Sequence, residues 1–214
     1  MPAIPADFPK IAISFDAEKE PFYQTIVLEN LRLLKTSRTG RTLLAEIAAA
    51  TPAQRAAGEA GPFNVIIQPP LRKQLSAPGL TGTQENMRIG DQAKYDGWYC
   101  GKDGKLQPSL DSKVSSQEGS RTAARDGTGT YCYLFFSTYE MLSKDGTWLY
   151  PHITMGHELI HCLHSLKGIT KADDKQEEYF TVGIKGYENE AITENKLRAD
   201  FPNIPPRTKY FAND

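Results

Sequence analysis

The sequence predicts an α+β fold in which a central helix packs on a small mixed sheet. Residues 21–50 carry apolar side chains at helical spacing. Residues 63–68 and 131–136 are short runs rich in β-branched and aromatic residues, which favour buried strands. Residues 151–168 begin with proline and end on glycine, the usual punctuation of a helix. These patterns together indicate helices combined with a small mixed sheet.

Length and charge limit the domain number and the partners. The chain has 214 residues, 24% of them charged, and a formal net charge of −1. This length fits a single domain, and we expect an N-terminal arm at 1–20 and one domain at 21–214. The balanced charge predicts binding to neither nucleic acid nor an anionic membrane surface. We also expect a monomer. We expect no cleavable signal peptide, because the first residues lack a basic segment followed by an apolar core.

The N-terminal quarter predicts one short strand and two helices. Residues 11–15 form either part of the arm or a first strand. The helical pattern of residues 21–50 is interrupted around Gly40, so we expect two helices there. Thr39 or Thr42 then caps the second helix, since a threonine side chain can accept from the first free backbone N–H groups.

The middle of the chain is dominated by short strands and polar connections. Residues 63–68 predict a buried strand that two prolines end. The segment 76–130 is dense in Gly, Ser, Asp and Lys, and only 87–89 and 98–100 have strand character. Residues 131–136 are the strongest strand prediction in the chain. After residue 168 we expect a mostly irregular C-terminal part.

Three cysteines are present, at positions 100, 132 and 162. The number is odd and no two lie close together in sequence, so a disulfide framework is not expected. We interpret Cys100, Cys132 and Cys162 as buried or incidental thiols.

The helix predicted at 151–167 carries a pattern typical of metal sites. His157 and His161 are four residues apart, so both imidazoles project from one face of the helix and can fill two corners of a tetrahedral Zn²⁺ site. Glu158 lies beside them without pointing the same way, where it can take a proton from the attacking water and pass it to a leaving amine. His-Glu-x-x-His on a helix therefore predicts a zinc hydrolase.

A third ligand is needed, since catalytic zinc usually keeps three protein ligands and one open position. No histidine follows His164. We expect His164 to pack or to act behind the ligands, and His152 to be solvated. The third ligand is then a carboxylate or, less often, a cysteine. The acidic residues after the helix are Asp173, Asp174, Glu177, Glu178, Glu188, Glu190, Glu194 and Asp200.

Two segments resemble the clostridial neurotoxin light chains. One is His-Glu-Leu-Ile-His-x-x-His-x-Leu-x-Gly at 157–168, and the other is Glu-Glu-x-x-Thr-x-Gly at 177–183. The resemblance implies that Glu178 is the third zinc ligand and that Glu177 supports a ligand histidine. The interval from His161 to this pair is shorter than in the light chains, which leaves Glu177 as the alternative ligand.

The end of the chain carries a further part of this resemblance. Arg207 and Tyr210 match the Arg-x-x-Tyr of the light chains, which implies that both side chains stabilise the oxyanion. A guanidinium and a phenol are suitable donors for such a charge.

Residues 150–210 also resemble the NleD-like type III secreted effector metallopeptidases, which are small proteins of one domain. This resemblance implies a compact zincin-like domain, secretion by a bacterium through a type III system, and action in the cytoplasm of a host cell. It also implies that the substrates are host signalling proteins, namely stress-activated MAP kinases cut in the activation loop.

Two other functions remain open at this stage. One is a zinc-containing binding or toxin module that sequesters a host protein without cutting it, with His164 or Cys162 as a fourth ligand. The other is an interaction domain in which the motif is accidental and no metal binds.

Overall fold

The computed structural model describes residues 5–15, 17–18, 21–54, 63–69, 115–136 and 150–210, together with the backbone of six short strands between them. The strands are β1 (Ile11–Ile13), β2 (Val65–Gln68), β3 (Leu71–Ser76), β4 (Thr81–Arg88), β5 (Trp98–Cys100), β6 (Leu106–Pro108), β7 (Ser115–Glu118), β8 (Cys132–Phe135), β9 (Met141–Leu142) and β10 (Trp148–Leu149). The helices are α1 (Tyr23–Thr36), α2 (Arg38–Ala49), α3 (Pro151–Lys167), α4 (Asp174–Val182) and α5 (Glu194–Ala199).

The main sheet has four strands in the order β1-β2-β8-β7. The first three are parallel, whereas β7 runs antiparallel to β8. β8 is therefore an interior strand, which explains its apolar sequence, and β7 is the terminal strand of the sheet as described. The mixed sheet and the helices packed on it confirm the predicted α+β class.

β1 belongs to the core of the molecule. Phe8, Ile11 and Ile13 are buried in the main hydrophobic cluster, together with side chains of β2, β8 and the helices. Of the two interpretations of this segment, arm or first strand, the structure shows the strand. The strand predictions at 63–68, 98–100 and 131–136 correspond to β2, β5 and β8, and the prediction at 87–89 overlaps only the end of the longer β4.

The corner between α1 and α2 differs from the prediction. Ser37, rather than Thr39 or Thr42, is the N-cap of α2, and its hydroxyl oxygen accepts from the backbone N–H of Gly40 at 2.9 Å. The break therefore lies before the glycine, and Gly40 is inside the helix.

α3 is the central helix of the fold. Its predicted bounds are confirmed, with Pro151 in the first turn and Gly168 as a left-handed cap with φ of 70°. The helix contacts α1, α2, α4 and α5 as well as β7 and β8. No helix among the described residues is long and apolar enough to cross a membrane.

The C-terminal part is more ordered than the sequence indicated. It contains α4 and α5, each with a side-chain N-cap: Asp173 accepts from the N–H of Gln176 at 2.8 Å, and Thr193 accepts from the N–H of Lys196 at 3.2 Å. The expectation of a mostly irregular segment was wrong, because two short helices with few apolar residues leave little periodicity to detect.

Candidate metal centre

Two histidines of α3 face each other across one helical turn. The Nε2 atoms of His157 and His161 are 3.1 Å apart, and both rings are largely shielded from solvent. Two bare imidazole nitrogens this close to each other are suited to a shared cation, since each offers a lone pair when neutral.

Glu178 of α4 completes a triangle of ligand atoms. Its Oε2 atom lies 3.2 Å from Nε2 of His157 and 3.4 Å from Nε2 of His161. This oxygen is buried. Ligand atoms around a tetrahedral Zn²⁺ at about 2.0–2.1 Å are about 3.3 Å apart, so the spacing of the three atoms is suited to a metal ion.

The outer nitrogens of both imidazoles are already engaged. Nδ1 of His157 lies 2.8 Å from Oε2 of Glu194, and Nδ1 of His161 lies 2.9 Å from Oε1 of Glu177. A carboxylate on Nδ1 fixes the tautomer in which Nε2 carries the lone pair, which is the usual arrangement behind metal-binding histidines. The two rings are therefore oriented for ligation before any ion enters.

The pKa of His157 reflects the negative charge that surrounds its ring. Burial opposes protonation of the ring, but the hydrogen bonds with Glu178 and Glu194 outweigh it and raise the pKa of His157 to about 9. A cation at the centre of the triangle would neutralise the same carboxylate charge in place of the proton.

Glu177 holds two histidines and a loop. Its Oε1 atom bonds with Nδ1 of His161 and lies 2.7 Å from Nδ1 of His164, while Oε2 accepts from the N–H of Lys171 at 2.8 Å. Burial opposes its ionisation, but the bonds with both histidines lower the pKa of Glu177 to about 2. Of the two carboxylates left open by the sequence, Glu178 lies with the Nε2 atoms and Glu177 lies behind the rings.

A second group of three possible ligands exists, but its atoms are already bonded to one another. His161, His164 and Glu177 also bring nitrogen and oxygen atoms together. Both histidine nitrogens in this group contact the same Glu177 oxygen at hydrogen-bond distance. We interpret this group as support for the triangle rather than as a second metal site.

Glu158 is buried on α3 next to the triangle without joining it. Burial raises its pKa above the ordinary value for a glutamate. A carboxylate in such surroundings accepts and releases protons closer to neutral pH, as general acid–base chemistry requires.

Tyr210 and Arg207 reach the centre from the end of the described chain. The Tyr210 ring stacks on His157 with ring centres 5.7 Å apart and an interplanar angle of 7°. Burial, and then the carboxylates of Glu178 and Glu158, raise the pKa of Tyr210. The Arg207 guanidinium lies over the Tyr210 ring at 4.5 Å and also contacts Oε2 of Glu194 at 3.2 Å.

Glu194 is the site residue whose role sequence reasoning missed. It is 2% exposed and binds His157, Arg207 and Arg198, whose Nε lies 2.6 Å from Oε1. Burial opposes ionisation, but His157 and the two arginines outweigh it and lower the pKa of Glu194 to about 2. A capping Thr193 before the glutamate and Arg198 four residues after it were the available signals of a structured position.

The remaining histidines and cysteines stay outside the triangle. His164 stacks on Phe180 at 4.0 Å, and Cys162 and Cys132 are buried free thiols. His152 is half-buried against Phe201 rather than solvated as expected. The side chain of Cys100 lies outside the described residues. Neither His164 nor Cys162 therefore supplies a fourth ligand at the described centre.

Comparison with known proteins does not show a family for this chain. No protein-family model matches the chain, and no curated protein matches it. A crystal structure of the catalytic domain of Clostridium botulinum neurotoxin serotype F is similar at 15% sequence identity and a TM-score of 0.44. The likeness covers 86% of this chain and 49% of that one, so the chain spans about half the length of that domain. The function has to be argued from the site itself.

Proposed function

We propose that this protein is a zinc-dependent endopeptidase. The observation that carries the proposal is the triangle of His157, His161 and Glu178, whose three ligand atoms are 3.1–3.4 Å apart, with Glu158 buried beside it on the same helix. The buried Glu178 oxygen lies 3.2 and 3.4 Å from the two Nε2 atoms, and a cation held by all three atoms would neutralise its charge.

Each residue then has a chemical task. His157, His161 and Glu178 would hold a zinc ion, which would supply Lewis-acid chemistry for a peptide carbonyl and for water. Glu158 takes a proton from the attacking water and gives it to the leaving nitrogen, for which its raised pKa is favourable. Tyr210 retains its phenolic proton, because its pKa is raised, and donates it in a hydrogen bond to the carbonyl oxygen as negative charge develops there.

Arg207 supports this arrangement from two sides. Its guanidinium covers the Tyr210 ring and contacts Glu194, so its positive charge lies near the oxyanion position and also holds the partner of His157. One side chain then contributes both to charge stabilisation and to the orientation of a ligand.

The terminal strand β7 is the surface best suited to an extended substrate. β8 lies between β2 and β7, so the apolar strand predicted at 131–136 is beside the edge and not at it. β7 contacts α3, and Ser116 interacts with Glu158. A peptide that adds to β7 would pass directly over the catalytic carboxylate.

Metal analysis tests the centre. Wild type, Glu178→Ala and Glu177→Ala are dialysed, and zinc and iron are measured, because two histidines and a carboxylate also hold iron in some enzymes. We expect about one zinc per wild-type chain and a marked loss only in Glu178→Ala. Loss in Glu177→Ala with retention in Glu178→Ala would reverse the ligand assignment, and a folded wild type without metal would refute the centre.

Activity is tested on peptides made from a whole proteome. The zinc-loaded wild type should cleave internal peptide bonds, which mass spectrometry detects as new termini. Glu158→Gln should keep its zinc and lose about 10²–10⁴-fold in rate, as is usual when a general base is removed. Unchanged cleavage by Glu158→Gln would exclude the role given to this residue.

A narrower proposal concerns the route of secretion and the biological substrate. The resemblance to NleD-like effectors supports secretion through a type III system and cleavage of stress-activated MAP kinases in the host cytoplasm. Incubation of zinc-loaded protein with recombinant kinases tests it: we expect one cut in the activation loop, absent with Glu158→Gln. If the kinases stay intact while proteome peptides are cleaved, the peptidase proposal stands and MAP kinases are excluded as substrates.

A further inference from the structure

A cavity of about 320 Å³ leads away from the metal triangle. Glu158, His161, Glu178 and Tyr210 are among the residues that line it. The lining also includes positive side chains that the proposed chemistry does not use, namely Arg121, Arg125 and Lys171. A substrate bound at the triangle therefore has room for one of its side chains beside these cations.

Arg125 is the best placed of the three. Its side chain is 25% exposed, and its Nε atom is buried without a hydrogen-bond partner. A guanidinium N–H that has lost water and gained no acceptor is unfavourable, so the site gains from an added acceptor.

The negative charge that already faces the two arginines interacts with them only weakly. Asp174 lies 3.8 Å from Arg121 and 4.0 Å from Arg125, which is too long for hydrogen bonds. Its side chain is 90% exposed, and an ion pair so open to water contributes little. Of the other carboxylates in the lining, Glu177 and Glu178 are committed to the histidines and Glu158 to the proposed chemistry, which leaves Glu118.

The arginines stand on backbone that is fixed to the end of α3. The N–H of Thr170 donates to the carbonyl of Ala124 at 2.9 Å, and the N–H of Gly127 donates to Gly168 at 3.0 Å. The N–H of Thr130 donates to Ser165 at 3.0 Å. The distance from the guanidinium groups to the triangle is thereby set before a ligand arrives, as a specificity site requires.

We propose that this cavity selects substrates with an anionic side chain close to the scissile bond. The inference rests on the proposed peptidase function. A carboxylate and a phosphate share the required chemistry, because both accept paired N–H bonds from a guanidinium. The negative group replaces Asp174 as the partner of Arg121 and Arg125 and supplies the missing acceptor for Nε.

The test measures binding without cleavage. Zinc-loaded Glu158→Gln protein is immobilised and exposed to two libraries of random decapeptides, one with ordinary residues and one with phosphoserine replacing serine. Peptides retained by the protein should be enriched in Asp and Glu, or in phosphoserine, at one position. Which library shows the stronger enrichment distinguishes a carboxylate from a phosphate.

Three further variants in the same background complete the experiment. Arg125→Gln should bind the best anionic peptide about 10–100-fold more weakly and its uncharged Gln analogue within about threefold of the parent, as expected for loss of charge-assisted hydrogen bonds. Asp174→Asn should strengthen the anionic enrichment. Arg32 is an exposed arginine of α1 outside the cavity, so Arg32→Gln should change neither the affinity for the anionic peptide nor the anionic enrichment.

Two results would overturn the inference: no anionic enrichment in the parent, or the same enrichment in Arg125→Gln with its zinc content intact. The peptidase proposal fails on a different result, namely absence of cleavage by the zinc-loaded wild type. Anionic enrichment by a protein that does not cut would leave the anionic site standing as a binding site.

Discussion

At the scale of single residues, the centre is a chain of contacts that orients each ligand from behind. Arg198 and Arg207 hold Glu194, which holds Nδ1 of His157, while Glu177 holds Nδ1 of His161. Only groups fixed in this way present both Nε2 lone pairs to one point. The orientation of the candidate ligands therefore depends on residues that lie outside the triangle.

Glu194→Gln tests this dependence. The amide keeps the size of the side chain but removes the charge that Nδ1 of His157 and two arginines contact, so we expect zinc affinity to fall about 10–100-fold. Competition with a chromophoric chelator measures the change. Glu29→Gln, at an exposed position of α1, is the matched control and should bind zinc as wild type does. Equal affinity in Glu194→Gln would show that the contact is structural only.

Whether a residue of this centre can be predicted depends on its distance in sequence from its partners. His157, Glu158 and His161 lie within one and a half turns of a helix, so spacing alone brings them together. Glu194 is 37 residues from His157 and on another helix, so its partner is decided by the tertiary fold. No local pattern contains that information.

At the scale of elements, the position of α5 against α3 decides whether Glu194 reaches its histidine. Gly156, just before His157, is the contact point: a Cβ there would lie 2.2 Å from Cδ2 of Leu197 and 3.2 Å from Cδ2 of Leu34. Both leucines are fully buried. The missing side chain thus allows α1 and α5 to approach α3 closely.

Gly156→Ala should lower the free energy of unfolding. Alanine gains up to about 1 kcal/mol of helix propensity, but overpacking a filled core costs about 1–3 kcal/mol, so we expect a net loss of up to about 2 kcal/mol. Urea denaturation measures it. Combining the change with Leu197→Ala should give less destabilisation than the sum of the two single changes, because the smaller residue makes room. A more stable Gly156→Ala protein would contradict the packing argument.

The corner before α2 shows why element boundaries were harder to predict than the elements themselves. Gly40 suggested a break, yet it is inside α2, where a Cβ would lie 2.1 Å from the carbonyl oxygen of Leu34. The glycine is required by the close approach of α1, a tertiary contact, and the cap falls to Ser37. A glycine in a sequence does not reveal which of these two reasons placed it.

At the scale of the whole molecule, one hydrophobic cluster joins both ends of the described chain to the central helix. It extends from Phe8 through β1, β2, β8 and the helices to Ile204. Because the segment after α5 packs into this cluster, unfolding the core also removes Arg207 and Tyr210 from the centre. Stability and metal binding are therefore linked, and conditions that weaken the core should weaken the site.

Acid weakens the core through His152, at the start of α3. Its ring packs on Phe201 with centres 4.6 Å apart, its Nε2 atom is buried without a hydrogen-bond partner, and burial lowers the pKa of His152 to about 4. An unfolded histidine titrates near 6.5, so between these values the unfolded chain binds more protons than the folded one. The stabilisation is complete above pH 6.5 and is lost as the pH falls towards 4.

His152→Phe keeps an aromatic ring on Phe201 and removes the titration. We expect the free energy of unfolding of wild type to fall more steeply from pH 6.5 to 4 than that of the variant, by on the order of 1–2 kcal/mol after allowance for the solvent that reaches a half-buried ring. Urea denaturation of the metal-free proteins at several pH values measures the difference, so the centre's own titration appears equally in both. Parallel pH profiles would show that the His152 ring becomes protonated in the folded protein at no cost.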